Sequence, residues 1–124
     1  MNIKSIGIVT VNFNSINDTF DLIKSLEKIS YKDFSMYIVD NGSNNNEYSK
    51  LVDLKKNFNS FDCQVIYSKD NLGFAGGYNL GILKALSDQK DGILILNNDT
   101  IVETDFLTEL ILGFLVPVIP IIET

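Results

Sequence analysis

The chain has 124 residues, a formal net charge of −6, and no histidine. This length fits one domain and is short for an enzyme that must hold two substrates. All ten basic residues are lysines, which argues against a nucleic-acid-binding surface. The lack of histidine excludes Ser-His-Asp and Cys-His catalysis and histidine metal sites.

The single cysteine fits a reducing compartment, because one cysteine cannot form an internal disulfide. Residues 1–4 lead directly into an apolar run without a signal-peptide pattern. We therefore expect a cytoplasmic protein, with peripheral attachment to a membrane as the alternative. Cys63 itself is interpreted as a packing residue in the core or at its edge.

The first half of the chain alternates between strand and helix patterns. Residues 6–11 are apolar and β-branched, which is typical of a buried strand. Ser15 and Asp18 resemble a capping box at the start of a helix with apolar residues at helical spacing. A second strand is predicted over residues 36–39, turn residues follow at 40–43, and a weaker helix begins near Tyr48.

The second half repeats this alternation. A third strand is predicted over residues 65–67, followed by a glycine-rich stretch over 71–78 and a helical pattern over 80–86. A fourth strand is predicted over 92–96 and a last helix over 104–115, with Asp105 near its N-terminal end. The pattern predicts a single α/β domain over residues 1–124, a Rossmann-like parallel sheet with helices on both faces.

Polar residues follow each predicted strand, at the edge where open parallel sheets bind ligands. Taken alone, each group keeps two interpretations. The glycines of 71–78 suit either a bound anion or a helix packed tightly on the sheet. Asp99, at the end of an apolar strand, is a buried carboxylate that suits either a divalent cation or a helix cap. Asp40 suits either a ribose or base contact or an ordinary turn.

Four motifs in order resemble family-2 glycosyltransferases of the GT-A fold, and specifically their rhamnosyltransferase-like branch. The motifs are the opening strand I-V-T-V-N-F-N at 8–14, V-D-N-G-S at 39–43, N-L-G-F-A-G-G-Y-N at 71–79 and L-N-N-D-T at 96–100. Their order and spacing agree over residues 5–107, so the resemblance implies the donor-binding portion of such an enzyme.

The resemblance implies a site for a nucleoside-diphosphate sugar, with UDP- and dTDP-sugars as the expected donors. Asp99 would hold Mg²⁺ or Mn²⁺ on the diphosphate, where the metal stabilises the leaving group. The loop after the first strand would cradle the base, and Asp40 would contact the base or the ribose. The residues that the resemblance assigns to donor binding are Thr10, Val11, Asn12, Asn14, Asp40, Asn41, Gly76, Gly77, Asn79, Asn97 and Asn98.

The sequence departs from the family at two points. Asn97 stands where the first acid of the metal motif is usual, and no acid after Asp99 lies in the expected context of the catalytic base. The catalytic residues are therefore unassigned, and two hypotheses stay open. One is a domain that supports sugar transfer to an acceptor hydroxyl, and the other is a truncated, non-catalytic remnant that binds nucleotide or only assembles.

Two related folds fit less well. A phosphoacceptor receiver domain needs paired acids after the first strand, where Asn12 and Asn14 stand, and a sugar nucleotidyltransferase needs a basic glycine-rich loop there.

Residues 110–124 form an apolar tail that is too short to span a bilayer, which needs about 20 residues. We therefore expect no transmembrane segment, and we interpret the tail as an interface that makes a homodimer or larger assembly.

Overall fold

The structure is a computed structural model that describes residues 3–113. Strands and helices alternate along these residues, as the sequence predicts. In chain order the elements are β1 (Ile6–Asn12), α1 (Ile16–Glu27), β2 (Phe34–Asn41), α2 (Glu47–Lys55), β3 (Asp62–Ser68), α3 (Gly73–Ser87), β4 (Gly92–Ile95) and α4 (Phe106–Gly113).

The strands form one parallel sheet in the order β3-β2-β1-β4, which confirms the predicted Rossmann-like fold. The chain moves outward from β1 through β2 to β3 and then returns to the other side of β1. Because β-α-β crossovers are right-handed, this reversal puts α3 on the opposite face from α1 and α2. The strand order reverses between β1 and β4, which is where such sheets open a crevice for ligands.

Each face of the sheet has its own apolar core. The α1/α2 face buries Ile8, Met36 and Ile38 against Leu22 of α1 and Leu51 of α2. The α3 face is a smaller cluster of buried residues, which are Val9, Tyr37, Tyr78 and Ala85. These contacts follow from the two-residue period of a strand, which sends neighbouring side chains to opposite faces.

The strands β2 and β3 are longer than the sequence pattern indicates. All eight residues of β2 are buried, since it pairs with β1 on one side and β3 on the other. The register aligns Asn12, Asp40 and Tyr67 across the three strands. The sequence pattern predicts Asn12, Asp40 and Asn41 in the loops after the strands, but these residues lie at the ends of the strands themselves.

The glycine-rich stretch is helical rather than a loop before the helix, because α3 already begins at Gly73. Its glycines let the helix approach the sheet closely. A Cβ atom on Gly81 would lie 2.3 Å from Cγ1 of Val9 and 3.3 Å from Cγ2 of Val39. The packing interpretation of these glycines therefore applies along the buried side of α3.

The helix ends differ from the predictions in smaller ways. Ser15 holds the N-cap position of α1 and Asp18 lies in its first turn, but the Ser15 hydroxyl makes no capping hydrogen bond to the helix. The last helix begins at Phe106, two residues later than predicted. Most of the predicted interface tail, residues 114–124, lies outside the described residues. Within residues 3–113, no helix has the length and apolar character needed to cross a bilayer.

Cys63 lies on the edge strand β3 and packs against the core of the α1/α2 face. Burial raises the pKa of its thiol to about 12. The side chain therefore stays protonated at neutral pH and acts as a packing residue, as the sequence suggested.

Candidate functional site

Asn12 is the centre of a buried hydrogen-bond network at the carboxyl edge of the sheet. Its amide nitrogen donates to Oδ1 of Asp40 at 3.0 Å and to Oε1 of Glu47 at 2.9 Å. Its amide oxygen accepts from the hydroxyl of Thr19 at 2.7 Å. One side chain thus joins the ends of β1 and β2 to the first turns of α1 and α2.

The network extends to the segment after β4 through Asn98. The amide nitrogen of Asn98 donates to the Thr19 hydroxyl at 3.0 Å and to the Ser15 hydroxyl at 2.7 Å. A hydroxyl can donate once and accept at the same time, so Thr19 links two asparagines without an unsatisfied group. We call these joined side chains the edge network; its members are Asn12, Thr19, Asp40, Glu47 and Asn98.

The edge network is rich in acceptors and poor in donors. Asp40 is 1% exposed and Glu47 is 8% exposed, and neither carboxylate takes part in an ion pair among residues 3–113. The amide of Asn12 has only two hydrogens, yet it faces both carboxylates and the Ser43 hydroxyl at 3.3 Å. Among residues 3–113, no buried side-chain nitrogen or oxygen lacks a hydrogen-bond partner, so a ligand's N–H or O–H groups would add to a network that is already satisfied.

Two loops at this edge are fastened to each other by Asn14 and Ser43. The backbone N–H of Asn14 donates to the Ser43 hydroxyl at 2.9 Å, and its side-chain oxygen accepts from the N–H of Asn44 at 2.7 Å. Asn14 has φ of 50°, a left-handed conformation that asparagine tolerates better than most residues. Asn14 thus fixes the exposed loop that leaves β1.

Asn41 serves the opposite face of the sheet, where it holds the start of α3. Its side-chain oxygen accepts from the N–H of Leu72 at 2.9 Å, and its nitrogen donates to the carbonyl of Gly73 at 3.1 Å. A Cβ atom on Gly77 would lie 2.9 Å from that nitrogen, so the glycine makes room for Asn41. Gly42, with φ of +78°, likewise allows its backbone to approach that of residues 70 and 71.

A cavity of about 250 Å³ opens between the ends of β1 and β4, at the point where the strand order reverses. We call it the edge cavity; it is lined by Val11, Phe74, Tyr78, Asn97, Asn98 and Asp99. The Tyr78 hydroxyl lies 2.8 Å from the carbonyl oxygen of Leu96 and 3.4 Å from Oδ1 of Asn97. Asn98 belongs to both the edge network and the edge cavity, and so connects the two faces of the site.

Asp99 is exposed in a turn beyond β4, which corrects the expectation of a buried carboxylate at a strand end. Because the Asp99 carboxylate is exposed, it needs no cation to offset a cost of burial. The metal hypothesis therefore depends on the residues around Asp99. Among residues 3–113, no three acidic, cysteine or histidine side chains converge as metal ligands. Asp99 with the amides of Asn97 and Asn98 fits Mg²⁺ or Mn²⁺ only as part of a shell that a ligand's phosphates complete.

Other predicted residues lie in less direct positions. Thr10 is buried, and its hydroxyl donates to the carbonyl of Leu96 at 2.8 Å, so it ties β1 to the segment after β4. Gly76 is half-buried, and a Cβ there would lie 2.8 Å from Cβ of Leu72. Asn79 is exposed on α3.

Sequence reasoning did not single out Glu47, Thr19, Phe74 or Tyr78. Thr19 and Glu47 belong to helices that the sequence predicts, and neither carries a local motif. Both are polar residues in the first helical turn after a strand. The alternation of strands and helices places such residues at the carboxyl edge of the sheet. That signal identifies a region, and only the three-dimensional contacts identify the partners.

The model of the family described as "Glycosyl transferase family 2" matches residues 7–116, which is most of the chain. No functionally curated protein is similar enough in sequence to count as a match.

Solved structures of glycosyltransferases share the fold. TarS from S. aureus in complex with UDP-GlcNAc has a TM-score of 0.68 at 20% identity, over 85% of this chain and 29% of its own. The mannosyltransferase PcManGT from Pyrobaculum calidifontis, in complex with GDP-Man and Mn²⁺, has a TM-score of 0.79 at 12% identity. That match covers 94% of this chain and 34% of PcManGT. The chain therefore spans about a third of the length of these proteins.

Proposed function

Because the chain belongs to glycosyl transferase family 2, we propose that it binds a nucleoside-diphosphate sugar at the carboxyl edge of its sheet. In this proposal the edge network holds the nucleoside, and the edge cavity holds the diphosphate with a divalent metal. The bound sugar is then presented for transfer to an acceptor hydroxyl.

The observation that carries the proposal is the double role of Asn98. Through Thr19 it is bonded to Asn12 and so to the buried carboxylate of Asp40, and it also lines the cavity next to Asp99. Residues far apart in sequence thus form one continuous hydrogen-bonded network that reaches the edge cavity. A nucleotide has the same arrangement, with a base and ribose at one end and a charged diphosphate at the other.

On the nucleoside side, Asp40 accepts from a base N–H or a ribose hydroxyl, and Asn12 and Asn14 keep the surrounding loops in place. Val11 lines the adjoining edge cavity, and buried Thr10 supports the end of β1 through its hydrogen bond to Leu96. UDP- and dTDP-sugars are our expected donors. The binding test also includes GDP, because solved proteins of this fold include one with UDP-GlcNAc and one with GDP-Man.

On the diphosphate side, the N-terminal end of α3 favours negative charge through its helix dipole. Asn41 fixes this end by its two bonds to residues 72 and 73. Gly76 and Gly77 add no side chains to the first turns of this helix, and Asn79 adds an exposed amide. The diphosphate lies along these turns in our proposal.

A divalent metal completes the proposed donor site. Asp99 supplies the carboxylate, Asn97 and Asn98 supply amide oxygens, and the donor's own phosphates fill the rest of the shell. When bound, Mg²⁺ or Mn²⁺ neutralises the charge that develops on the leaving nucleoside diphosphate. This arrangement predicts that the metal binds together with nucleotide and only weakly without it.

The second candidate function is nucleotide binding without sugar transfer. It is favoured by one observation: Asp99 is the only carboxylate among the residues that line the edge cavity. If Asp99 holds the metal, none of the other lining residues is an acid that could accept the proton of an attacking hydroxyl. Turnover of the sugar nucleotide to product decides between the two functions.

The experiment is calorimetric titration of UDP, dTDP and GDP into the purified chain, with and without Mn²⁺. We expect at least one nucleotide to bind, and Mn²⁺ to tighten its binding. Asp99→Ala should remove the effect of Mn²⁺ and weaken nucleotide binding to the level measured without metal.

The matched control is Asp105→Ala, which removes another exposed carboxylate just before α4 and outside the edge cavity. It should bind nucleotide and metal as the unaltered chain does. A folded chain that binds none of the three nucleotides contradicts the proposal. An equal loss in both variants contradicts the assignment of the metal to Asp99.

We further propose that the chain forms a homodimer or larger assembly through its apolar sequence at residues 110–124. The exposed apolar side chains of Ile101, in the segment after β4, and Leu112, on α4, support the proposal. A cytoplasmic location is proposed from the single cysteine, with peripheral membrane attachment as the alternative.

A further inference from the structure

Two tyrosines, one exposed and one half-buried, form an aromatic pair next to the edge network. The ring centroids of Tyr48 and Tyr67 lie 4.9 Å apart, and the rings are tilted by 59°. Tyr67 is 58% exposed although it lies on a strand of the sheet. Neither residue has a role in the site described so far.

The position of the pair relative to Asp40 follows from the register of the sheet. Tyr67 is the partner of Asp40 across the β2–β3 pairing, so both side chains emerge on the same face. Neighbouring strands are about 4.8 Å apart, so Tyr67 lies one strand away from Asp40 on that face. Tyr48 directly follows Glu47, whose carboxylate shares the amide of Asn12 with Asp40.

An exposed aromatic face beside a buried acceptor is a combination that suits a nucleobase. A base that donates an N–H to Asp40 has its flat face within reach of the Tyr67 ring. Stacking on an aromatic side chain stabilises any base, because every base has a π-face. Tyr48 supports the ring from α2 and limits the orientations that Tyr67 can adopt.

We propose that Tyr67, supported by Tyr48, is the stacking wall for the nucleobase of the donor. This inference rests on the proposed function and assigns a binding residue to it. Tyr67 then makes the chain prefer a nucleoside diphosphate over a diphosphate without a base, and it contributes to binding for uracil, thymine and guanine alike.

The test is calorimetric titration of UDP, GDP and inorganic pyrophosphate, each with Mg²⁺, into three variants at position 67. Tyr67→Ala should weaken UDP and GDP binding by roughly tenfold or more and leave pyrophosphate binding unchanged. Tyr67→Phe keeps the aromatic face and should bind as the unaltered chain does. Tyr67→Leu keeps apolar packing on Tyr48 without a π-face, so it should weaken nucleotide binding even if the alanine variant does not fold.

A second readout uses the composition of the chain, which has no tryptophan and five tyrosines, so tyrosine dominates its emission. Binding of UDP should quench the tyrosine emission of the unaltered chain. The quenching should be smaller in Tyr67→Phe, because this variant lacks the tyrosine that stacks on the base. The control is Leu83→Ala, which removes an exposed apolar side chain from α3, away from the site. It should leave both readouts unchanged.

Two results overturn the inference in distinguishable ways. If the unaltered chain binds neither UDP nor GDP, the proposed function fails and the stacking wall fails with it. If the unaltered chain binds nucleotide and Tyr67→Leu binds it within twofold, the stacking wall alone is wrong. An equal weakening of pyrophosphate and UDP in the folded variants also overturns it, because that pattern reflects a structural role.

Discussion

Asn12 lies between two buried carboxylates and supplies hydrogen bonds to both. Replacing it with alanine would leave Asp40 and Glu47 buried without these donors. A buried charged group that loses its partner is more costly than an average lost hydrogen bond. We expect Asn12→Ala to lower the free energy of unfolding by about 2–4 kcal/mol, measured by urea denaturation.

The control for this prediction is Asn17→Ala, which makes the same change at an exposed position of α1. Exposed substitutions of this kind stay within about 0.5 kcal/mol of the unaltered chain. An Asn12→Ala variant that is equally mild would mean that water replaces the amide, and that the edge network is not closed around Asn12.

Sequence reasoning at this scale identified the residues at the strand ends but not their partners. Asp40 and Asn98 were found because each follows an apolar run and matches a motif. Glu47 was not found, because its role depends on how the loop after β2 brings α2 against Asn12. The exposure of Asp99 was also missed, since a strand pattern does not show that β4 ends at Ile95.

The tight packing of α3 on the sheet is the feature of a single element that is most open to test. A methyl group on Gly81 would lie 2.3 Å from Cγ1 of Val9, and the side chain of valine has little rotamer freedom with which to move away. We expect Gly81→Ala to destabilise the fold by about 1–3 kcal/mol, as overpacking does. The shift of the thermal midpoint measures this loss.

Gly113→Ala is the matched control, because a Cβ at Gly113 of α4 would have no other atom of residues 3–113 within 4 Å. Alanine is a better helix former than glycine, so this variant should be neutral or slightly more stable. If Gly81→Ala is as stable as Gly113→Ala, α3 can move away from the sheet and its glycines are not required for close packing.

The elements themselves were predictable, and their limits were less so. Alternation of strand and helix patterns gave the order of the elements and the parallel sheet. The boundaries of β2 and β3 depend on pairing between strands, which a local pattern does not contain. The glycines of 73–77 suggested a loop, yet packing on Asn41 and Val11 stabilises them as a helix, because tertiary contacts override weak local propensity.

At the scale of the whole molecule, the sheet and its two cores explain the fold, and two exposed apolar side chains motivate the predicted association. Ile101 is 73% exposed and Leu112 is 50% exposed, and both are large apolar side chains. The strand β4 is also an edge of the sheet, with one side unpaired among residues 3–113. A contiguous apolar patch commonly marks an interface, and an unpaired strand edge is a second surface that can associate.

We therefore expect light scattering at micromolar concentration to give a mass of at least twice the 13.9 kDa of one chain. Ile101→Lys combined with Leu112→Lys should shift the mass toward that of a monomer, because a charge buried at an apolar interface is costly. Leu86→Lys makes a comparable change at an exposed position of α3 and should leave the assembly intact. A monomeric mass for the unaltered chain contradicts the proposed interface. If Leu86→Lys alone dissociates the assembly, the interface lies on the α3 face instead, because an added charge disrupts only a contact in which it is buried.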